Sequence, residues 1–268
     1  MNGTVVKNNE ICTGHFFLSV KLPVSFKTPM PGQFVMARER GRIDPLLGRP
    51  FSVYHFERSE DATTTVAILY KVVGKGTLLL SKRREGDSLE VLGPYGRAFD
   101  VYPEVERVVF ICGGIGVAPI TYLASHYRGQ SAMRNADLIC YYGASKAENL
   151  VGIEKIKDIV SNVFVSTDDG STGYKGLVTE RFAEDVSSYE PGTTKIYACG
   201  PRPMFKQLSD LLAGTDLSCQ ILIEERMACG LGACLGCTVL LHDDEGQVAH
   251  ARACIEGPVF NIRDIHWG

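Results

Sequence analysis

Short apolar runs broken by glycine and proline fill the first hundred or so residues of the chain. Phe16-Phe17-Leu18-Ser19-Val20-Lys21-Leu22 and the run from Thr65 to Val73 are rich in aromatic and β-branched residues, the side chains that suit half-buried strands. Pro29, Pro31-Gly32, Gly48, Gly74 and Gly86-Asp87 interrupt them, as turn residues do. Regular short strands of this kind predict an antiparallel β-barrel. The exception is Thr77 to Arg84, where Leu78, Leu79 and Leu80 lead into a basic end and predict a short helix.

From about residue 104 the texture changes. Arg107-Val108-Val109-Phe110-Ile111-Cys112 is a mostly apolar run, followed by Gly113-Gly114-Ile115-Gly116 and then Ala118 to Ala124. That order predicts strand, glycine turn and helix. Ala136 to Tyr142, Ser161 to Ser166 and Lys195 to Cys199 predict further buried strands, the last one followed by a helix from Met204 to Leu212. Strands alternating with helices imply a parallel α/β sheet covered on both faces. The last 45 or so residues form a cysteine segment. They also predict a hairpin from Cys237 to His242 and Gln247 to Ala253, turning at Asp243-Asp244-Glu245-Gly246. The expected fold class is therefore α+β and multidomain, with no internal repeat and no long linker.

Composition narrows the setting. The 268 residues are 45% hydrophobic and 22% charged, ordinary values for a globular protein. A net charge of −3 gives no sign of a nucleic-acid or membrane-surface partner. Val5-Val6 is followed at once by Lys7, Asn8, Asn9 and Glu10, which is not the pattern of a secretory signal. No apolar run is long enough to cross a bilayer. Nine cysteines make an odd number. Cys12, Cys112, Cys140, Cys199 and Cys219 are scattered through apolar surroundings; free thiols of that kind suit a reducing cytoplasm.

The other four cysteines carry chemistry. Cys229, Cys234 and Cys237 are spaced C-x4-C-x2-C, and sixteen residues separate Cys237 from Cys254. This is the plant-type arrangement for a [2Fe–2S] cluster. Gly230, Gly232 and Gly236 let the backbone wrap closely enough for amide N–H groups to face sulfur. Four cysteines also suit zinc, but zinc ribbons usually pair two C-x2-C knuckles.

Further motifs are weaker one by one. Arg49-Pro50-Phe51-Ser52 combines a guanidinium, which matches phosphate oxygens, with a flat ring and a hydroxyl that suit a flavin. A surface arginine beside an edge-strand phenylalanine would read the same. Gly74-Lys75-Gly76-Thr77, just after Leu69-Tyr70-Lys71, could hold an anion at a helix start or be a steric turn. Gly114 and Gly116 sit where a dinucleotide approaches the carboxyl end of a parallel strand; tight strand–helix packing would also call for them. Asp168 and Asp169 offer carboxylates for ribose hydroxyls or simply form a turn. Cys199, in Cys199-Gly200-Pro201-x-Pro203-Met204, ends a buried strand, as either a site or a packed thiol. No Ser/His/Asp triad, H-E-x-x-H or Walker lysine loop occurs, so bound cofactors would do the chemistry.

Taken in order, R-P-F-S, the later Gly-x-Gly-Thr, G-G-I-G-V-A-P, C-G-P-x-P-M and the cysteine motif resemble the ferredoxin–NADP reductase superfamily. Within it they resemble the electron-transfer subunits of class 1B, NAD-linked dihydroorotate dehydrogenases. The resemblance covers essentially the whole chain. It implies an FAD-binding β-barrel over 1–102, an NAD-binding α/β domain over 103–222 and a [2Fe–2S] domain over 223–268. It implies FAD contacts at Arg49, Pro50, Phe51, Ser52, Leu69, Tyr70, Lys71, Gly76 and Thr77, with Arg49 on the pyrophosphate and Ser52 near the flavin ring. Gly114, Gly116, Asp168, Asp169, Cys199 and Met204 would line the NAD path, and Cys229, Cys234, Cys237 and Cys254 would hold the cluster. The implied partner is an FMN-containing catalytic subunit that oxidises dihydroorotate for pyrimidine biosynthesis, two of each chain forming a heterotetramer. Related small subunits of NADH-dependent ferredoxin:NADP oxidoreductases tend to replace the first cluster cysteine with aspartate, so Cys229 favours the pyrimidine enzyme. The diaphorase subunit of a sulfhydrogenase is a further alternative. A redox sensor that binds a cluster and a nucleotide is the reading from outside the enzymes.

Overall fold

The structure is a computed structural model that describes residues 1–39, 41, 43–59, 63–243 and 245–268. Its first part contains β1 (Asn2–Cys12), β2 (His15–Leu22), β3 (Phe34–Glu39), β4 (Arg49–Ser52), β5 (His55–Arg58), β6 (Thr64–Lys71), α1 (Lys75–Ser81) and β7 (Ser88–Tyr95). The strands form one antiparallel sheet in the order β4-β3-β7-β1-β2-β6-β5. Val5, Leu18, Val35, Phe51, Ile68, Tyr70, Leu89 and Val91 form its core, and Leu80 of α1 packs among them. Phe51 on the edge strand meets Tyr70 on β6 with ring centroids 5.7 Å apart. The sheet therefore curls until its distant strands touch, as a half-barrel must to bury one face.

The second part contains β8 (Arg107–Gly113), α2 (Val117–Gly129), β9 (Asp137–Ala144), α3 (Ile153–Ile159), β10 (Asn162–Thr167), β11 (Tyr174–Lys175), α4 (Val178–Ala183), β12 (Thr194–Cys199), α5 (Arg202–Leu212) and β13 (Ser218–Leu222). Alternate residues of β8 go to opposite cores. Val108, Phe110 and Cys112 pack with α2, whereas Val109 and Ile111 pack with Phe182 of α4 and Phe205 of α5. Burial on both faces explains why these strands read as near-continuous apolar runs. The order is β11-β10-β9-β8-β12-β13, all parallel. Chain order reverses between β8 and β12, which makes their carboxyl ends a topological switch point.

The third part contains β14 (Thr238–His242), β15 (Val248–Arg252) and β16 (Val259–Asn261). β14 and β15 form the expected hairpin, although Asp244 of its turn lies outside the described residues. β16 leaves this segment and adds antiparallel to β13 at the edge of the large sheet. No helix among the described residues is long and apolar enough to cross a membrane.

Candidate functional site

Strand alternation sorts the first motif. Pro50 and Ser52 lie opposite Met36 and Phe34 in the ladder, and directly opposed residues share a face. Phe34 and Met36 belong to the core shared with the cysteine segment. Phe51, 8% exposed, turns into the barrel core instead. In β6, Leu69 packs towards α2 and α3, while Tyr70 is buried in the barrel, where its hydroxyl donates to Asn8 Oδ1 at 3.0 Å. Phe51 and Tyr70 thus belong to the barrel core as well as to the wall of the site.

The Arg49 guanidinium lies across Gly76, where an added Cβ would come 2.7 Å from its Nε. Arg49 Nη1 donates to the Leu47 carbonyl at 2.6 Å. Thr77 Oγ1 accepts from the Val73 and Gly74 N–H groups at 2.9 and 3.2 Å and donates to the Gly74 carbonyl at 3.0 Å. Its hydroxyl holds the turn. All nine sequence-predicted flavin residues except Gly76 line one cavity of about 720 Å³, whose opposite wall is the segment Leu222–Ala228 with Gly236 of the cysteine loop. The volume lies within the range of small-molecule and cofactor sites, about 300–1,000 Å³.

A second cavity of about 500 Å³ opens at the switch point between β8 and β12. Gly114, Gly116, Asp168 and Met204 line it; Asp169 and Cys199 do not. Gly116 is required by packing, since a Cβ there would lie 2.2 Å from the Cys199 carbonyl oxygen. The Cys199 thiol is fully buried beneath this contact, and burial, then the nearby Glu224, pushes its pKa well up. It is a packed thiol at the floor of the turn and not part of the cavity wall. Asp169 is exposed and accepts from the Ser171 N–H at 2.9 Å; its bonds to Ser171 hold its carboxyl below the ordinary range. Lys146 pairs with Glu148 at 2.5 Å.

The two cavities share Lys71, Ile115, Ile223 and Glu224. Glu224 has surface open to them, yet protein walls desolvate its carboxyl and raise its pKa. Neither Glu224 nor Ile223 is marked by a sequence motif. The available signal is position: 223–227 joins a buried strand to the first cysteine.

The four cysteines form two pairs. All four are free thiols; Cys229 lies within hydrogen-bond reach of Cys234 and Cys237 within reach of Cys254. The Leu231 N–H reaches Cys229 Sγ at 3.3 Å and, with Cys234, holds its pKa down at about 6. Burial, then Cys237, pushes Cys254 up to about 11. Gly230 and Gly232 have φ of 68° and 80°, and Leu235 joins them at 57°, so the loop uses left-handed backbone to wrap. Gly236 N–H points at Cys234 Sγ, 3.5 Å away. Among the described residues no three His, Cys, Asp or Glu side chains are grouped for a single metal ion. Two thiol pairs, with amides aimed at sulfur, fit a binuclear cluster in which each iron takes two cysteines.

Residues 224–266 match the family described as the iron-sulfur cluster binding domain of dihydroorotate dehydrogenase B, and residues 110–210 match the oxidoreductase NAD-binding domain. The chain is 41% identical over 265 residues, 99% of its length and 98% of the relative's, to the dihydroorotate dehydrogenase B (NAD(+)) electron transfer subunit of Caldanaerobacter subterraneus subsp. tengcongensis. It is 35% identical to the protein of the same name from Clostridium acetobutylicum, covering 96% of this chain and 93% of the other. Among solved structures, an NADH-dependent reduced ferredoxin-NADP oxidoreductase is 26% identical with a TM-score of 0.83, covering 99% of this chain and 90% of that one. A ferredoxin NADP+ reductase from Neisseria gonorrhoeae with bound FAD and NADP shares the fold, with a TM-score of 0.66 over 80% of this chain and 90% of that one at 17% identity.

Proposed function

This chain belongs to the family of dihydroorotate dehydrogenase B (NAD(+)) electron transfer subunits, and from that premise we propose its working path. It carries electrons from the FMN of a dihydroorotate-oxidising catalytic subunit, through a [2Fe–2S] cluster and FAD, to NAD+. The observation that carries this reading is the shared wall. A flavin-sized cavity touches the cysteine loop at Ala228 and Gly236 and adjoins the switch-point cavity through Lys71, Ile115, Ile223 and Glu224. Three redox sites in that order need no mobile carrier between them.

When bound, the cluster would supply electrons singly, and FAD would store two of them with a proton as the hydride that nicotinamide accepts. Cys229 and Cys234, with Cys237 and Cys254, would hold the cluster as two thiol pairs. Arg49 offers its guanidinium to the FAD pyrophosphate, exchanging the Leu47 carbonyl for charged oxygens. Pro50, Ser52, Leu69 and Lys71 face the flavin, Phe51 and Tyr70 hold their strands in register, and Gly76 with Thr77 shapes the turn under Arg49. Gly114, Gly116 and Met204 shape the NAD approach, and Asp168 takes ribose hydroxyls. Asp169 and Cys199 support that site from outside its wall. The domains divide near residues 102 and 222, although β16 returns to the large sheet. The assembly is a cytoplasmic heterotetramer of two chains of each kind.

The structural likeness to the ferredoxin-NADP oxidoreductase supports a second reading, in which ferredoxin chemistry replaces dihydroorotate. The higher identity over nearly full length to the pyrimidine subunits favours the first. Co-purification tests the choice: the chain should bring down a flavoprotein that reduces NAD+ with dihydroorotate. A complex active only with ferredoxin would select the second. Loss of FAD from Arg49→Ala, with the barrel still folded, is expected; full FAD retention would remove Arg49 from the site.

A further inference from the structure

Arg202, the first residue of α5, lines the switch-point cavity. Its Nη2 lies 2.7 Å from Glu225 Oε1, the arginine side chain 56% exposed and the glutamate 23%. Glu225 belongs to the opposite cavity, the one assigned above to FAD. One ion pair thus joins the walls of two cofactor sites, and Glu225 lies only four residues before Cys229.

A dinucleotide brings two negative phosphates into the switch-point cavity. The lysine and arginine side chains lining that cavity are Lys71 and Arg202. Lys71 stands at the junction with the flavin cavity, which leaves Arg202 as the fork available away from that junction. We propose that Arg202 binds the NAD pyrophosphate and that Glu225 competes with the dinucleotide for the same guanidinium. The magnitudes favour exchange. A solvent-exposed ion pair is worth up to about fivefold in an equilibrium constant, whereas a hydrogen bond between charged partners is worth about tenfold or more. A pyrophosphate that reaches Arg202 therefore displaces Glu225. The freed carboxylate remains in the wall of the flavin cavity, so nucleotide occupancy changes the charge facing FAD.

This inference rests on NAD occupying the switch-point cavity, and ADP-ribose against AMP separates the two claims. ADP-ribose carries the pyrophosphate without the reactive nicotinamide, and AMP lacks the pyrophosphate. Equilibrium binding to the purified, FAD- and cluster-loaded chain should show Arg202→Ala weakening ADP-ribose about tenfold, the loss of one charge-assisted contact. AMP binding should be unchanged. Glu225→Gln should tighten ADP-ribose about two- to fivefold, the size of an exposed pair. Arg202→Lys, which keeps charge without the fork, should fall between wild type and alanine, and it serves if the alanine variant fails to retain FAD. Equal weakening of AMP and ADP-ribose by Arg202→Ala, or no weakening, overturns the contact. Weaker ADP-ribose binding in Glu225→Gln overturns the competition. A wild-type chain that binds neither NADH nor ADP-ribose would instead overturn the assignment of the cavity to NAD.

Discussion

Two residues show how a site can depend on contacts that are not contacts to a ligand. Gly116 looks like a phosphate-loop glycine, but its backbone lies against the Cys199 carbonyl, with no space for a methyl group at 2.2 Å. Gly116→Ala should therefore cost about 3 kcal/mol through overpacking, read as a lower urea midpoint before any nucleotide is added. Unchanged stability with lost NADH binding would assign it to the ligand instead. Glu224 makes a prediction with a sign. Its carboxyl pKa is raised by desolvation, so the folded state holds the proton more tightly than the unfolded state. Stability is then lost as pH rises from the ordinary glutamate value of about 4.3 through the raised folded value, and is level above it. Glu224→Gln lacks this loss and should gain on wild type across that window in urea titrations. A constant offset at every pH would mean the carboxyl is normally solvated.

Elements were legible in the sequence where pattern and burial agree. The runs at Arg107–Cys112 and Lys195–Cys199 became β8 and β12 because both faces of the large sheet are covered. β1 reads Asn-Gly-Thr-Val-Val-Lys-Asn-Asn-Glu-Ile-Cys, too polar to announce a strand, and it exists because β2 and β7 pair with it on either side. The cysteine quartet was legible because its spacing is local. Arg202, Glu224 and Glu225 were not, because only the fold brings α5 and the post-β13 segment together. Within β6, alternation separates Lys71 and Leu69 from Tyr70, and this gives a prediction at the level of the strand. Asn8 Nδ2 donates to the carbonyls of Leu80 and Arg83 and its oxygen accepts from Tyr70, tying β1, α1 and β6 together. Tyr70→Phe should lose about 1 kcal/mol while FAD per chain stays constant. A drop in FAD content at unchanged stability would mean that the hydroxyl serves the flavin directly.

At the scale of the molecule, the cysteine segment is not free-standing. One core contains Phe34 and Met36 of the barrel, Ile221 and Ile223 at the end of the large sheet, and Cys237, Val239, Ala251 and Cys254 of the segment. A Cβ at Gly230 would come 2.9 Å from Met36 Sδ, so the cluster loop rests on β3 itself. The hairpin β14–β15 has two strands, and an isolated pair is marginal in water; this shared core supports it, and a cluster held as proposed at Cys237 and Cys254 would tie its ends together. β16 differs, because the ladder to β13 holds it in the large sheet. Removing iron with a chelator should therefore open the chain locally. Amide protection across Thr238–Arg252 should fall by about a hundredfold or more, while Val259–Asn261 and the strands of the large sheet keep theirs. Hydrogen exchange followed by mass spectrometry resolves these segments. If protection in β16 and β13 falls together with the hairpin, the three parts unfold as one unit, and the cluster stabilises the whole molecule beyond its own loop.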